Sequence, residues 1–205
     1  MNEMMKVWII VAFVLWRVQS QKQIFIDTTT DDEEMVMFNM FNGIENGYYA
    51  DIGAYDPMYQ SNTFNLHSQG WSGVNVDANH SRIQKFIYQR AEDTNLHLAV
   101  ASSEKILTFY ESVDDSASTA SEKVRNSQPS TFVGSSQVHA LPLGEICRRY
   151  FLAKPNFMNL DVEGLGYEAL ASNDWQNPKC YPEVISTEWN WLNTVANENT
   201  PRQVL

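Results

Sequence analysis

Two short acidic stretches each close an apolar run: Gly47-Tyr48-Tyr49-Ala50-Asp51-Ile52-Gly53-Ala54 and Asn156-Phe157-Met158-Asn159-Leu160-Asp161-Val162-Glu163-Gly164. In both, a β-forming run ends in a carboxylate followed by glycine, and open α/β sheets place their ligand-binding groups at that edge. Gly53 and Ala54 are small enough for a ligand to come close to the backbone amides of a strand-to-helix turn. Asp77 closes the next apolar run about 25 residues beyond Asp51, where a carboxylate can accept the ribose hydroxyls of a nucleoside. Tyr55-Asp56-Pro57 breaks the glycine pattern that a dinucleotide pyrophosphate requires. The residues therefore suggest a nucleoside ligand without a pyrophosphate, and a nicotinamide oxidoreductase is disfavoured.

The elements that must position these groups follow from the apolar pattern. Tyr48 to Ile52 reads as a strand, Ser61 or Asn62 as the cap of a short helix ended by Gly70, and Gly73 to Val76 as a second strand. Ile83, Phe86 and Ile87, spaced by three and four, predict a helix face, and a third strand lies near Leu96 to Val100. This alternation predicts parallel strands joined by right-handed crossovers. Ile106 to Tyr110 is a further strand. Ser112 to Ser136, rich in Ser, Thr, Asp and Asn without apolar periodicity, reads as a mobile loop or lid. Val138 to Leu141, a helix from Leu143 through Tyr150, the strand ending at Asp161, a helix beginning at Gly164 to Leu170, and a strand Glu183 to Glu188 complete the series. Glu188 sits in an otherwise apolar strand, where an unpartnered carboxylate is costly to bury, and is a candidate for the substrate side of the pocket. The four histidines lack a neighbouring Ser or Cys motif and read as surface or packing residues.

The chain has 205 residues, 43% of them hydrophobic, enough for one well-cored domain. Three segments are expected: an apolar start at 1–20, a linker and helix at 21–46, and the main domain at 47–205. The net charge of -11 repels a phosphate backbone, so nucleic acid is not an expected partner. The only two cysteines, Cys147 and Cys180, indicate neither a disulfide framework nor a zinc site, and no metal is expected. The run Val7 to Trp16 is shorter than the roughly 20 residues of a membrane span and resembles the core of a signal peptide, though a buried element fits the same pattern. Membrane contact is expected only through this segment if it is retained. Location follows it: secretory or membrane-associated if it is a targeting segment, cytoplasmic otherwise. The sequon Asn79-His80-Ser81 lies beside Asp77, where a glycan would crowd a site. Asp31-Asp32-Glu33-Glu34 reads as an acidic helix start.

The stretches Gly47 to Pro57, Ser61-Asn62-Thr63 and Gly70 to Ala78 resemble the FkbM-type methyltransferase family, which uses S-adenosylmethionine. Asn159 to Gly164 looks like that family's motif after its fourth strand, and Ser172 to Trp175 with Pro182 to Glu188 is similar to its continuation. The resemblance runs from about Gly47 to Glu188 and implies a Rossmann-like α/β fold with a mostly parallel sheet and methyl transfer to a hydroxyl of a small-molecule or carbohydrate substrate. It implies that Gly53 and Ala54 face the methionine portion of the cofactor, Asp77 its ribose, and Ala99 and Val100 its adenine, with Asp51 anchoring the first turn. Asp161 and Glu163 would lie at the methyl-transfer centre, one of them orienting or deprotonating the acceptor. Related folds carry two further C-terminal strands, for which the polar stretch Trp189 to Leu205 is too short. A non-catalytic binding module on the same fold is the alternative. Composition and charge leave the oligomeric state open.

Overall fold

A computed structural model describes residues 24–27, 40–41, 43–113 and 117–187. Six parallel strands form the central sheet in the order β1-β9-β8-β2-β3-β4. They are β1 (Ile24–Asp27), β2 (Tyr48–Ile52), β3 (Ser72–Asp77), β4 (Thr94–His97), β8 (Phe157–Leu160) and β9 (Val184–Thr187). The strands β2, β8 and β9 are short and buried along their whole length, as a sheet covered on both sides requires. On one face Ala50, Ile52, Val74, Met158 and Ile185 pack against α4 (Leu143–Tyr150) and α5 (Gly166–Ala171). On the other, Tyr49, Phe157 and Val184 pack with Phe41, Trp71 and Leu66 of α1 (Phe64–Ser68). Trp71 is thus a core residue, its indole N–H donating to the Ile44 carbonyl at 3.1 Å.

A second sheet of three strands, β5 (Ala99–Val100), β7 (Phe132–Leu141) and β6 (Lys105–Ser112), stands beside the first. The third strand expected from Leu96 to Val100 is split at Leu98, so that β4 pairs in the central sheet and β5 with β7.

Three expectations need correction. The segment read as a mobile loop, Ser112 to Ser136, is largely ordered. It holds the helix α3 (Glu122–Ser127), a 3-10 turn at Pro129–Thr131, a bridge between Tyr110 and Thr119, and the first half of β7, which pairs antiparallel with β6. Its polar residues satisfy backbone groups, Ser118 Oγ accepting from Ser112 N at 2.9 Å, so the low hydrophobicity reflects a hydrogen-bonded flap. Within the segment expected as a linker and helix, 21–46, the linker part supplies β1, which pairs with β9 and covers the outer edge of that strand. Cys147 and Cys180 form a disulfide between α4 and the turn before β9, with Cα atoms 5.6 Å apart. Two cysteines 33 residues apart carry no spacing signal, and only the fold brings them together.

Smaller differences concern the helices. Thr63 caps α1, and Gly70, at φ +88°, ends it as expected. On α2 (His80–Gln89), Ile83 and Phe86 are buried as expected but Ile87 is half exposed, and Arg82 takes the buried position in its place. The apolar start, the acidic run at 31–34, Glu188 and the C-terminal stretch lie outside the described residues. No helix among the described residues is long and apolar enough to cross a membrane.

Candidate active site

A cavity of about 520 Å³ opens at the carboxyl ends of β2, β3 and β8, between the two sheets. Asp51, Gly53, Ala54, Asp77, Ala99, Val100, Asp161 and Glu163 all line it. The sequence singled out these positions from stretches more than a hundred residues apart, and the parallel register brings them together: Asp51 stands opposite Asn159 on β8 and Asn75 on β3.

Asp51 is buried beneath the floor of the cavity and works as a clamp. It accepts from Thr63 Oγ1 at 2.7 Å and from Asn159 Nδ2 at 2.9 Å, tying β2 to the following loop and to β8. Asn159 Oδ1 in turn accepts from Asn62 at 3.1 Å. Burial raises the pKa of Asp51, against the opposing pull of these two donors and of Arg90. Arg90, itself buried, donates to Thr63 Oγ1 at 2.8 Å and to Ser61 Oγ at 3.0 Å, fixing the loop after β2 from behind.

The turn at Gly53 differs from the expectation. The amides of Gly53 and Ala54 donate to the Val76 carbonyl at 2.8 and 3.0 Å, and so are spent within the sheet edge. The glycine is required for a different reason: its φ is +86°, and a Cβ there would overlap the Asp161 carbonyl oxygen. The turns after β2 and β8 therefore touch, backbone to backbone.

Asp77, at the end of β3, accepts from the backbone N–H of Tyr55 at 2.9 Å, from that of Asn79 at 2.7 Å, and from Arg82 Nη1 at 3.3 Å. Burial raises its pKa, and Arg82, then the amides of Asn79 and Tyr55, draw it back down. Asn79 also caps α2, its side-chain oxygen accepting from Ser81 N at 2.9 Å. His97, in register with Asp77, has its Nε2 2.9 Å from the Ala78 carbonyl and its ring packed against His80.

β8 ends at Leu160, so Asp161 and Glu163 reach the cavity from a turn and not by the alternation of a strand. Glu163 (φ +43°) and Gly164 (φ +89°) are both left-handed. The flap holds this turn in place: Thr119 Oγ1 donates to the Glu163 carbonyl at 2.6 Å and accepts from Ser121 N at 2.9 Å, and a Cβ on Gly164 would lie 2.6 Å from Val124. Sequence reasoning missed Thr119, Phe109 and Arg82, which also line the cavity. The composition of the flap hides Thr119, while Arg82 sits on the buried stripe of α2 with Phe86, where its spacing was the only signal. Asn62, read as a helix cap and as part of the Ser61-Asn62-Thr63 motif, also lines the cavity.

The lining mixes apolar groups, Leu98, Ala99, Val100 and Phe109, with the carboxylates of Asp51, Asp77, Asp161 and Glu163. The sequence profile described as the methyltransferase FkbM domain matches residues 51–203, a range that includes every residue lining the cavity. The chain belongs to the FkbM methyltransferase family. No curated protein and no solved structure gives a match. As an FkbM methyltransferase domain, the chain is built for methyl transfer, and its Rossmann-like sheet puts the cavity where this fold class binds ligands.

Proposed function

We propose that this FkbM domain transfers a methyl group from S-adenosylmethionine to a hydroxyl of a small-molecule or carbohydrate acceptor. The observation that carries the reading is that a single cavity is lined by apolar groups, Leu98, Ala99, Val100 and Phe109, together with the carboxylates of Asp77, Asp161 and Glu163. Leu98 to Val100 and Phe109 would enclose the adenine, Asp77 would accept from the ribose, and the turn at Gly53 and Ala54 would border the methionine portion. When bound, the cofactor supplies an electrophilic methyl group on a positively charged sulfur. A wall that holds Asp51, Asp77, Asp161 and Glu163 against Arg82 favours such a cation. Asp161 or Glu163 would orient the acceptor hydroxyl and receive its proton, and positioning would supply much of the acceleration. With the Gly53 and Ala54 amides already donated to Val76, the turn has little to offer a pyrophosphate, which counts against a dinucleotide ligand.

The acidic character of both wall and chain favours neutral or cationic acceptors, and the buried disulfide supports maturation in an oxidising compartment. The test is release of S-adenosylhomocysteine from S-adenosylmethionine by the full-length protein across a panel of neutral polyols and phenols. Acceptor-dependent release that is lost in Asp161→Asn or Glu163→Gln supports the reading. Saturable cofactor binding with no turnover on any hydroxyl compound would favour the non-catalytic module.

A further inference from the structure

Asp77 does not meet the cavity alone. Arg82, in the first turn of α2, is 6% exposed and reaches Asp77 Oδ2 at 3.3 Å, while its guanidinium lies 4.7 Å over the ring of Tyr55. Tyr55 holds a left-handed backbone at φ +56°, a conformation that a bulky residue seldom adopts, and from it donates its N–H to the same oxygen. Strain of this kind persists where the surroundings enforce it and gathers at ligand sites. A buried ion pair gives little net stability compared with apolar packing of the same volume. Stability therefore accounts poorly for an arginine placed against a carboxylate in a cavity wall.

We infer that Arg82 and Tyr55 are positioning residues for the nucleoside end of the cavity: the stacked guanidinium and ring hold the Asp77 carboxylate in the orientation that accepts a ribose hydroxyl. A carboxylate has about four acceptor positions. On Asp77, Oδ2 takes Tyr55 N–H and Arg82, and Oδ1 takes Asn79 N–H, so the capacity that remains is on Oδ1. The inference rests on the nucleoside reading of the site and adds to it the group that keeps the acceptor charged. Burial pushes Asp77 toward its protonated form, and Arg82 is the foremost group opposing this. Other charged or titratable groups around Asp77 are Asp51 on β2, His97 on β4, His80 on α2, and the Lys85–Asp56 pair bridging α2 to the loop after β2. All of these remain when Arg82 is replaced, so the difference between wild-type and variant pH profiles isolates Asp77.

The test is calorimetric titration of S-adenosylhomocysteine into full-length wild type, Arg82→Gln and Arg82→Lys between pH 5.5 and 8, with thermal melts to confirm folding. Arg82→Gln is expected to bind about tenfold more weakly at pH 8, the loss of a hydrogen bond to a charged group, and to weaken further as pH falls. Arg82→Lys is expected to restore the wild-type pH profile without the full affinity, because it returns the charge and not the planar stack. A folded Arg82→Gln that binds like wild type throughout overturns the inference. So does a uniform loss that Arg82→Lys fails to relieve, which would mark the arginine as structural. If Arg82→Gln does not fold, Tyr55→Leu decides: a fall of about threefold supports the stack, and unchanged affinity overturns it. Absence of binding by the folded wild type would instead overturn the nucleoside reading of the site, and the inference with it.

Discussion

Asp51 shows how one side chain can shape a site without touching chemistry. Its oxygens are taken by Thr63 and Asn159, so its role is to join β2, the loop after it and β8. Burial leaves its folded pKa raised, with the Thr63 and Asn159 bonds opposing. For a carboxyl raised on folding, the associated stability is present below the unfolded pKa of about 4 and is lost as pH rises through the folded value. Urea unfolding at a series of pH values should therefore show wild type losing stability relative to Asp51→Asn as pH rises from 4. A difference that stays constant would mean that Asp51 is not raised. Gly53→Ala should destabilise by about 2 kcal/mol or more, because both its φ and the Asp161 carbonyl exclude a Cβ; the denaturation midpoint reads this directly. The acidic residues of the site were legible in the sequence because each closes an apolar run. Their hydrogen-bond partners were not, since Thr63, Arg82 and Arg90 look like ordinary loop and helix residues until the chain is folded around them.

At the scale of elements, the flap and the disulfide are what the sequence concealed. Both depend on contacts distant along the chain: Thr119 reaches Glu163, and Cys147 reaches Cys180. A polar, aperiodic stretch gives no local sign that its hydroxyls are spent on backbone groups. By contrast, β2, β3, α4 and β8 were readable, because apolar periodicity and flanking glycines act locally. Thr119→Val removes one hydroxyl that serves two backbone partners, and should cost about 1–3 kcal/mol. Hydrogen exchange should then quicken at the amides from Asp161 to Gly166 while the central strands keep their protection; unchanged exchange in that turn would deny the flap its clamping role. Reduction of Cys147–Cys180, or Cys147→Ala with Cys180→Ala, should lower stability by about 3–4 kcal/mol for a loop of this length. Peptide mapping without reductant should recover the two cysteines as one linked pair, and free thiols in natively produced protein would contradict the bond.

Across the whole molecule, the parallel sheet converges its strand ends on one edge, and the second sheet closes the other side of the same cavity. The parallel pairing of the strands and the place of the site were legible because alternating strands and helices allow few topologies; the order of the strands and the separate second sheet were not. The outer strand β1 was not, since a short apolar triplet in a polar segment looks like a linker until β9 offers it an edge. What the cavity holds decides the function of the domain. The most direct measurement is calorimetric titration of S-adenosylmethionine into the full-length protein beside Asp77→Ala. Saturable one-to-one binding by wild type, weakened at least about tenfold in a folded Asp77→Ala, is the predicted result. A folded wild type that takes up no cofactor, or an Asp77→Ala variant that binds as tightly as wild type, would contradict it.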